Sequence, residues 1–405
     1  MNRSETRRDS KKSLLCVYYP QQLLPALAAV LSFRRFKGED LATPFTVFVW
    51  TPPGTDLRVR KKRLLAFEVL LHDFAGVKLC FPEPSEIKAH LSQNAKVLKK
   101  AGYLRNKFGP DAFDAIYYAH DISADFIAQS AMQAFPKAER ICFGDALGVL
   151  YSNKFFTGMT YPMGSAGEIL RRPDRTFRNI LYRLKRAWIL PSENHHLEAN
   201  YVVPILPCDP GGDFIKGKNL LLVDENSLCH VKDSLSNAVE RFLANDKCFV
   251  NSNGGADFLM LLGSYSESRL TTEEQERELY VEVARQKVSP GSRIALKPHP
   301  ISSDKKIERI QRALSMDYEV CVVRCGEMPI EAMPRLVENT KVISFSYSSV
   351  SLCYLYNSTV LHALNDSLIK KFFPFSSQLW MSESNRLYLD QFLIAWKLRN
   401  NQQEI

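Results

Sequence analysis

The chain has 405 residues, of which 45% are hydrophobic and 24% charged, a globular composition whose length predicts two domains. Its 53 lysines and arginines against 44 aspartates and glutamates give a net charge of +9, which favours anionic partners. No segment approaches the ~20 apolar residues of a transmembrane helix, and no signal-peptide core is evident. The nine cysteines form no CxxC pair, so the sequence indicates neither a zinc site nor a disulfide framework, and we expect a cytoplasmic location.

The first part of the chain alternates short apolar runs with helix-like segments. Residues 1–12 are polar and basic, and we expect them to form a disordered tail. Short apolar strands separated by helices are typical of a parallel sheet covered on both faces, so residues 13–245 are predicted to form a Rossmann-like domain. The predicted strands are 13–19, 45–50, 77–81, 114–118, 140–143 and 201–206, and the predicted helices include 22–33, 60–74 and 231–243.

A second alternation follows a region rich in proline and glycine at 190–218. Residues 246–380 are predicted to form another Rossmann-like domain, in which Thr271 and Glu274 have the spacing of a capping box. Residues 381–405 are predicted to contain an amphipathic helix that packs back towards the first domain. The predicted strands are 257–262, 293–297, 318–323 and 341–346, and the predicted helices are 271–286, 304–314, 349–356 and 383–398. The predicted fold class is therefore α/β, with two Rossmann-like domains that face a central cleft.

Several signatures of nucleotide and hydrolase chemistry are missing from the sequence. The chain has no P-loop and no GxGxxG that opens a helix, which disfavours P-loop phosphoryl transfer and ordinary dinucleotide binding. It also lacks the Asp-x-Asp that clamps a metal and diphosphate in many nucleotide-sugar enzymes, and the GxSxG of α/β-hydrolases.

Two polar clusters in the second domain follow predicted strands, at the edge where parallel sheets bind ligands. Residues 297–300, Lys-Pro-His-Pro, hold His299 between two prolines that restrain the backbone, so this histidine could donate a proton to a leaving phosphate. Residues 344–349, Ser-Phe-Ser-Tyr-Ser-Ser, end a strand and start a helix, where hydroxyls and N–H groups can cradle a phosphate. A turn histidine and a serine N-cap are the structural alternatives.

An acidic cluster occupies the corresponding place in the first domain. Asp145 follows one predicted strand, and His120 and Asp121 follow another, so these side chains could converge. A carboxylate there suits a general base, and a plain turn residue is the alternative.

The order of these features resembles the bacterial sialyltransferases of the GT-B fold and their polysialyltransferase relatives. In those proteins a carboxylate near glycine lies in the first domain, and a His-Pro motif and a Ser-Ser pair follow in the second. Here the matching residues are Asp145, His299 with Pro300, and Ser348 with Ser349. Leu-Gly-Ser-Tyr at 262–265, followed by a helix rich in Thr and Glu, is most similar to the polysialyltransferase-like branch. The resemblance covers most of the second domain and about residues 114–151.

The resemblance implies an inverting, metal-independent transfer of sialic acid from CMP-sialic acid, with no cofactor. Asp145 would be the catalytic base, and Asp121 is the alternative because Ala146 replaces a glycine of the motif. His299 would be the catalytic group that stabilises the leaving phosphate. The implied donor-binding residues are Gly263, Lys297, Pro300, Glu331, Ser348 and Ser349, and the implied acceptor-binding residues are His120 and Asp121.

A basic segment at 171–188 indicates a further partner. Its arginines and lysines surround an apolar stripe that includes Phe177, Leu184 and Trp188, so a basic amphipathic helix could lie on an anionic membrane or bind an acidic glycan. An ordinary surface helix is the alternative. We expect a CMP-activated sugar donor, an anionic glycan or glycolipid acceptor and peripheral contact with the inner membrane surface, but no nucleic acid.

Two other functions stay open at this point. The first is a GT-B transferase that uses CMP-Kdo or another nucleotide sugar, because such an enzyme would also need a phosphate cradle and a histidine. The second is a non-catalytic, basic nucleic-acid-binding protein, whose binding would depend steeply on salt. The second does not account for the ordered Asp, His-Pro and Ser-Ser features.

Overall fold

A computed structural model describes residues 12–51, 55–92, 95–120, 126–145, 147, 199–206, 218–244, 256–323, 326–338, 340–356 and 358–403. The predicted tail before residue 12, Asp121 and the basic segment 171–188 lie outside these described residues. Contacts divide the chain into two compact units, residues 1–56 with 71–231 and residues 57–70 with 232–405. No helix within the described ranges is long and apolar enough to cross a membrane.

The first unit is built on a seven-stranded sheet whose neighbouring strands pair in parallel. Its strands are β1 (Ser13–Val17), β2 (Phe45–Val49), β3 (Val77–Cys80), β4 (Ala115–Tyr118), β5 (Glu139–Cys142), β6 (Tyr201–Val202) and β7 (Asn219–Leu220). The order β3-β2-β1-β4-β5-β6-β7 changes direction between β1 and β4. The carboxyl ends of these two strands therefore border the crevice where doubly wound sheets bind ligands.

Helices cover this sheet because its central strands are apolar on both faces. Every residue of β1 and β2 is buried, and Leu14, Phe48 and Tyr118 pack in one core with residues of the surrounding helices. A 3₁₀ turn (Pro20–Gln22) leads from β1 into the first helix. Among the described residues, the helices before β6 are α1 (Leu23–Lys37), α2 (Leu57–Leu71), α3 (Pro84–His90), α4 (Val97–Phe108) and α5 (Phe126–Ala134), of which α2 belongs almost entirely to the second unit.

The second unit contains a five-stranded parallel sheet of order β10-β9-β8-β11-β12. Its strands are β8 (Phe258–Leu261), β9 (Arg293–Lys297), β10 (Glu319–Val322), β11 (Lys341–Ser344) and β12 (Val360–His362). The change of direction lies between β8 and β11, so the crevice of this sheet is bordered by the loop after β8 and the serine-rich turn after β11. Met260, Leu296 and Ile343 from three strands pack in one apolar core.

The part of the chain that the structure describes has seven helices after β7. They are α6 (Glu225–Leu243), α7 (Glu273–Lys287), α8 (Asp304–Leu314), α9 (Pro334–Glu338), α10 (Ser348–Leu355), α11 (Asp366–Phe372) and α12 (Phe375–Gln403), with a 3₁₀ turn at Ile330–Ala332. The C-terminal α12 belongs to the second unit and donates from Arg399 Nη1 to the carbonyl oxygen of Cys353, at the end of α10 (3.0 Å).

These two sheets confirm the predicted α/β class with two Rossmann-like domains. β9 and α8 begin and end where the sequence predicts them. The predicted capping box of α7 is wrong by one residue, because Thr272 is the N-cap and accepts a hydrogen bond from the N–H of Gln275. Thr271 instead donates its hydroxyl to the carbonyl oxygen of Phe372.

Candidate active site

Asp145 lies at the carboxyl edge of the first sheet, just after β5. Gly144 precedes it with a φ of 77°, a left-handed conformation that glycine adopts without strain and that turns the chain at the strand end. The Asp145 side chain is 36% exposed, and its Oδ2 lies 3.7 Å from Nε2 of His120, which follows β4. The structure thus brings two of the predicted site residues together, whereas Asp121 lies outside the described residues.

Gln22 holds the Asp145 carboxylate from the opposite side of the sheet's crevice, and the sequence analysis missed it. Its side-chain Nε2 donates to Asp145 Oδ1 (3.1 Å), and its Oε1 accepts from the N–H of Tyr18 (2.8 Å), which fixes the direction of the amide. Gln22 is only 2% exposed, so the contact is protected from competing water. No local pattern marks this residue, because its partner lies 123 residues further along the chain.

The Lys-Pro-His-Pro turn leaves the carboxyl end of β9. Lys297 is 6% exposed and donates from Nζ to the carbonyl oxygen of Gly326 (2.9 Å), which ties the turn to the segment after β10. His299 Nδ1 accepts from the N–H of Ile301 (3.4 Å), so a neutral imidazole carries its proton on Nε2. The turn therefore presents an N–H donor beside a buried cation.

The electrostatic surroundings of His299 keep its ring neutral. Burial is the main cause and the positive charge of Lys297 the second, and together they lower the pKa of His299 from 6.5 to about 4. A neutral histidine at neutral pH can donate one hydrogen bond to an anion without itself contributing a charge.

A cavity of about 580 Å³ opens beside His299. Pro298 and Pro300 line it together with β10, α8 and the loop after β10. Glu327 also lines it, is 6% exposed and lies 3.7 Å from Nε of Arg63. Burial raises the pKa of the Glu327 carboxyl, with Arg63 acting in the opposite direction. The sequence analysis did not find Glu327, although it lies close to the predicted Glu331.

The two final serines of the turn after β11, Ser348 and Ser349, differ in burial and in their contacts. Ser348 is the first residue of α10 and is half-buried, with its Oγ 3.4 Å from Oγ of Ser346. Ser349 is fully buried, and its hydroxyl lies 2.9 Å from Nδ1 of His362 on β12. Of the predicted pair, Ser348 is therefore the one that is not fully buried, and it holds the first position of the helix, where the backbone N–H has no partner within the helix.

Gly263, after β8, has a structural role that the sequence does not reveal. Its N–H donates to the hydroxyl of Tyr280 (2.9 Å), and a Cβ at this position would lie 3.0 Å from the ring of Tyr265. The carboxylate of Glu276 also holds the loop after β8, since it accepts a hydrogen bond from the N–H of Ser266 (2.8 Å). Glycine at 263 thus lets the Tyr265 ring pack closely against the backbone.

Glu331 interacts with the charge of Lys297 but does not line the His299 cavity. Burial raises the pKa of its carboxyl. The hydroxyl of Tyr356 donates to its backbone carbonyl oxygen. Within the described residues, no group of three His, Cys, Asp or Glu side chains is arranged to hold a metal ion.

These residues give the first sheet a candidate base and the second sheet a candidate anion-binding edge. A family model described as alpha-2,8-polysialyltransferase (POLYST) matches residues 73–364, which is most of the chain. The chain belongs to this family. It is therefore a glycosyltransferase, which confirms the resemblance found in the motifs and disfavours the non-catalytic alternative.

Solved structures that resemble this glycosyltransferase share little sequence with it. The UDP complex of MnaA from S. aureus is 8% identical, with 96% of this chain and 91% of that chain covered and a TM-score of 0.46. UDP-GlcNAc 2-epimerase from Neisseria meningitidis bound to UDP-GlcNAc is 11% identical (96% and 94% covered, TM-score 0.43). The E. coli ADP-heptose LPS heptosyltransferase II is 12% identical (94% and 99% covered, TM-score 0.36). Among curated proteins, none matches this chain.

Proposed function

We propose that this glycosyltransferase moves sialic acid from CMP-sialic acid to an anionic glycan acceptor, in one inverting displacement that needs no metal ion. The family name supports the transfer of sialic acid with formation of α-2,8 linkages. CMP is the carrier implied by the resemblance of the motifs. The observation that carries the proposal is the neutral His299, which presents its Nε2 proton at the carboxyl edge of the second sheet.

The donor side of the reaction needs stabilisation of the phosphate that leaves. As the bond between the anomeric carbon and the phosphate oxygen breaks, both electrons stay with CMP and negative charge grows on its phosphate. His299 would donate a hydrogen bond to that oxygen, and Ser348 would donate from its hydroxyl and N–H. The buried ammonium of Lys297 would supply permanent positive charge nearby. The cavity beside His299 offers room for part of the donor.

The acceptor side needs a group that removes a proton. Asp145 would take the proton of the acceptor hydroxyl while the hydroxyl oxygen forms the new bond to the anomeric carbon. Gln22 would keep one carboxylate oxygen in place, leaving Oδ2 beside His120 for the acceptor. Attack opposite to the leaving phosphate inverts the anomeric configuration, as in inverting glycoside hydrolysis.

A CMP-sugar also makes a bound metal ion unnecessary in this proposal. Its leaving group is a phosphate monoester rather than a diphosphate, so less charge has to be compensated. A lysine ammonium, a histidine N–H and a helix N-terminus are sufficient donors for such a group. This agrees with the missing Asp-x-Asp clamp.

The test is a comparison of donors with the full-length protein in EDTA. CMP-sialic acid, CMP-Kdo, UDP-sugars and GDP-sugars are each supplied with a sialylated oligosaccharide, and products are followed by mass spectrometry and by the NMR anomeric signal. We expect turnover with CMP-sialic acid alone and an inverted product. Turnover only with another donor, or only after a divalent metal is added, would contradict the proposal.

A further inference from the structure

Ser349 is tied into the interior of the second unit by a chain of buried polar side chains. Its Oγ lies 2.9 Å from Nδ1 of His362 on β12, and Nε2 of that ring lies 2.6 Å from Oδ1 of Asn385 on α12. Ser349 is 0% exposed and Asn385 is 4% exposed. The chain therefore links three elements, the start of α10, the edge strand β12 and the C-terminal helix.

The hydrogen-bond roles along this chain follow from Asn385. Because its Oδ1 can only accept, the proton of His362 lies on Nε2, and Nδ1 must accept from the Ser349 hydroxyl. Burial lowers the pKa of His362, which favours the neutral ring that this pattern needs, although the bond to Asn385 acts in the opposite direction. The carbonyl oxygen of Ser346, 3.1 Å from the same hydroxyl, accepts instead from the backbone N–H of Ser349 (3.2 Å).

A serine, a histidine and an asparagine in this order resemble the arrangement of a nucleophilic triad. Complete burial of Ser349 excludes that role, since no substrate carbon can reach its Oγ. The hydroxyl instead anchors Ser349 to the imidazole, and the N–H of Ser349 holds the carbonyl oxygen of Ser346 at the start of the turn that leads to Ser348. A second contact holds the same turn, because Tyr347 packs edge-on against Tyr388 of α12 at 5.4 Å.

We propose that His362, oriented by Asn385, is a positioning residue of the donor-phosphate site. It holds Ser349 and the turn 346–348, so that the hydroxyl and N–H of Ser348 keep a fixed direction towards the phosphate. This inference rests on the proposed function, because it assigns the phosphate to Ser348. It also makes the C-terminal helix part of the donor site, although α12 itself does not contact the phosphate.

Two substitutions of His362 separate positioning from simple packing. In His362→Asn the side-chain oxygen replaces Nδ1 and can still accept from Ser349. In His362→Gln the polar group replaces Nε2 and reaches only Asn385. Calorimetric titration with CMP needs no acceptor, and His72→Gln, at an exposed position, is the control for loss of a histidine. We expect His362→Gln to weaken CMP binding about tenfold and His362→Asn to bind within about threefold of the unaltered protein.

The outcomes are distinct for the inference and for the proposed function. Unchanged CMP affinity in His362→Gln would overturn the positioning role, as would equal losses in both variants together with equally lowered melting temperatures. Ser348→Ala tests the phosphate site itself: unchanged CMP affinity there would refute the assignment of the phosphate, whatever the His362 variants do. Absence of CMP binding by the unaltered protein would contradict the proposed function.

Discussion

Binding of CMP should change the protonation of His299. In the free protein, burial and the neighbouring Lys297 lower the pKa of His299 to about 4, so the ring is neutral at pH 7. A phosphate at ~4 Å from the ring contributes about 4 kcal/mol at an effective dielectric constant of about 20, a factor of about 10³ in the protonation equilibrium. Donor binding should therefore move the titration of His299 from acid pH towards neutrality, where the ring can act as a proton donor.

Calorimetry in buffers of different ionisation enthalpy measures this proton uptake directly. At pH 6.5 we expect the unaltered protein to take up more protons on binding CMP than His299→Gln does, and the difference between the two removes the contribution of the CMP phosphate. Equal proton counts in the two proteins would refute the reasoning. An NMR titration of the free protein gives a second check. If the imidazole resonance that is missing from the His299→Gln spectrum titrates near pH 6.5, the reasoning is also refuted.

The lowered pKa of His299 also predicts how folding stability depends on pH. Because the unfolded chain binds a proton near pH 6.5 and the folded protein only near pH 4, stability is fully present above 6.5 and is lost as the pH falls through that interval. The loss attributable to this residue is on the order of 3 kcal/mol at most. Denaturant unfolding of His299→Gln at pH 7 and pH 4.5 should show a smaller loss than the unaltered protein.

Four further substitutions test the site and its supports. Asp145→Asn should lower kcat by about 10²-fold or more, while the CMP affinity measured by calorimetry stays unchanged; a normal kcat would show that Asp145 is not the base. Gln22→Leu should lower kcat about tenfold, because the Asp145 carboxylate loses the hydrogen bond that orients it. Gly263→Ala should destabilise the protein by about 1–3 kcal/mol in urea unfolding, because its Cβ would lie 3.0 Å from the ring of Tyr265, and an unchanged midpoint would contradict this packing. Lys306 of α8 is only 3% exposed, and its Nζ lies 2.7 Å from the carboxylates of both Glu267 and Glu276. Lys306→Met should therefore cost about 3–5 kcal/mol in urea unfolding, because both carboxylates lose their cation; a variant of unchanged stability would contradict this.

The strands were predictable because they are continuous apolar runs. β1 and β9 are fully or almost fully buried, and no polar alternation competes with that pattern. β12 was not predictable, since Val360–His362 is three residues long and becomes a strand only by pairing with β11. The cap of α7 was ambiguous because both Thr271 and Thr272 precede a Glu or Gln at capping-box spacing. The tertiary structure selects Thr272 as the N-cap, because the Thr271 hydroxyl donates to the carbonyl oxygen of Phe372.

The candidate site was predictable only where a motif coincides with a strand end. Asp145, His299 and Ser348 were proposed in this way. Their supporting residues were not, because each acts on an element that is distant in the sequence: Gln22 is 123 residues from Asp145, and Asn385 is 23 residues from His362. Such contacts depend on how the strands are ordered in the sheet, which single-sequence patterns do not specify.

The surroundings of His299 explain why its ring is neutral in the free protein and gains a proton only when a phosphate binds. A protonated His299 in the free protein would place two positive charges in a buried turn, where Lys297 already needs the Gly326 carbonyl as a partner. A bound phosphate reduces the repulsion between the two positive charges, because its negative charge offsets both of them. Proton uptake is thus coupled to donor binding, and the acid is present when the phosphate leaves. The same logic favours a neutral His362 behind Ser349, since a cation there would attract the phosphate away from Ser348 and towards the interior.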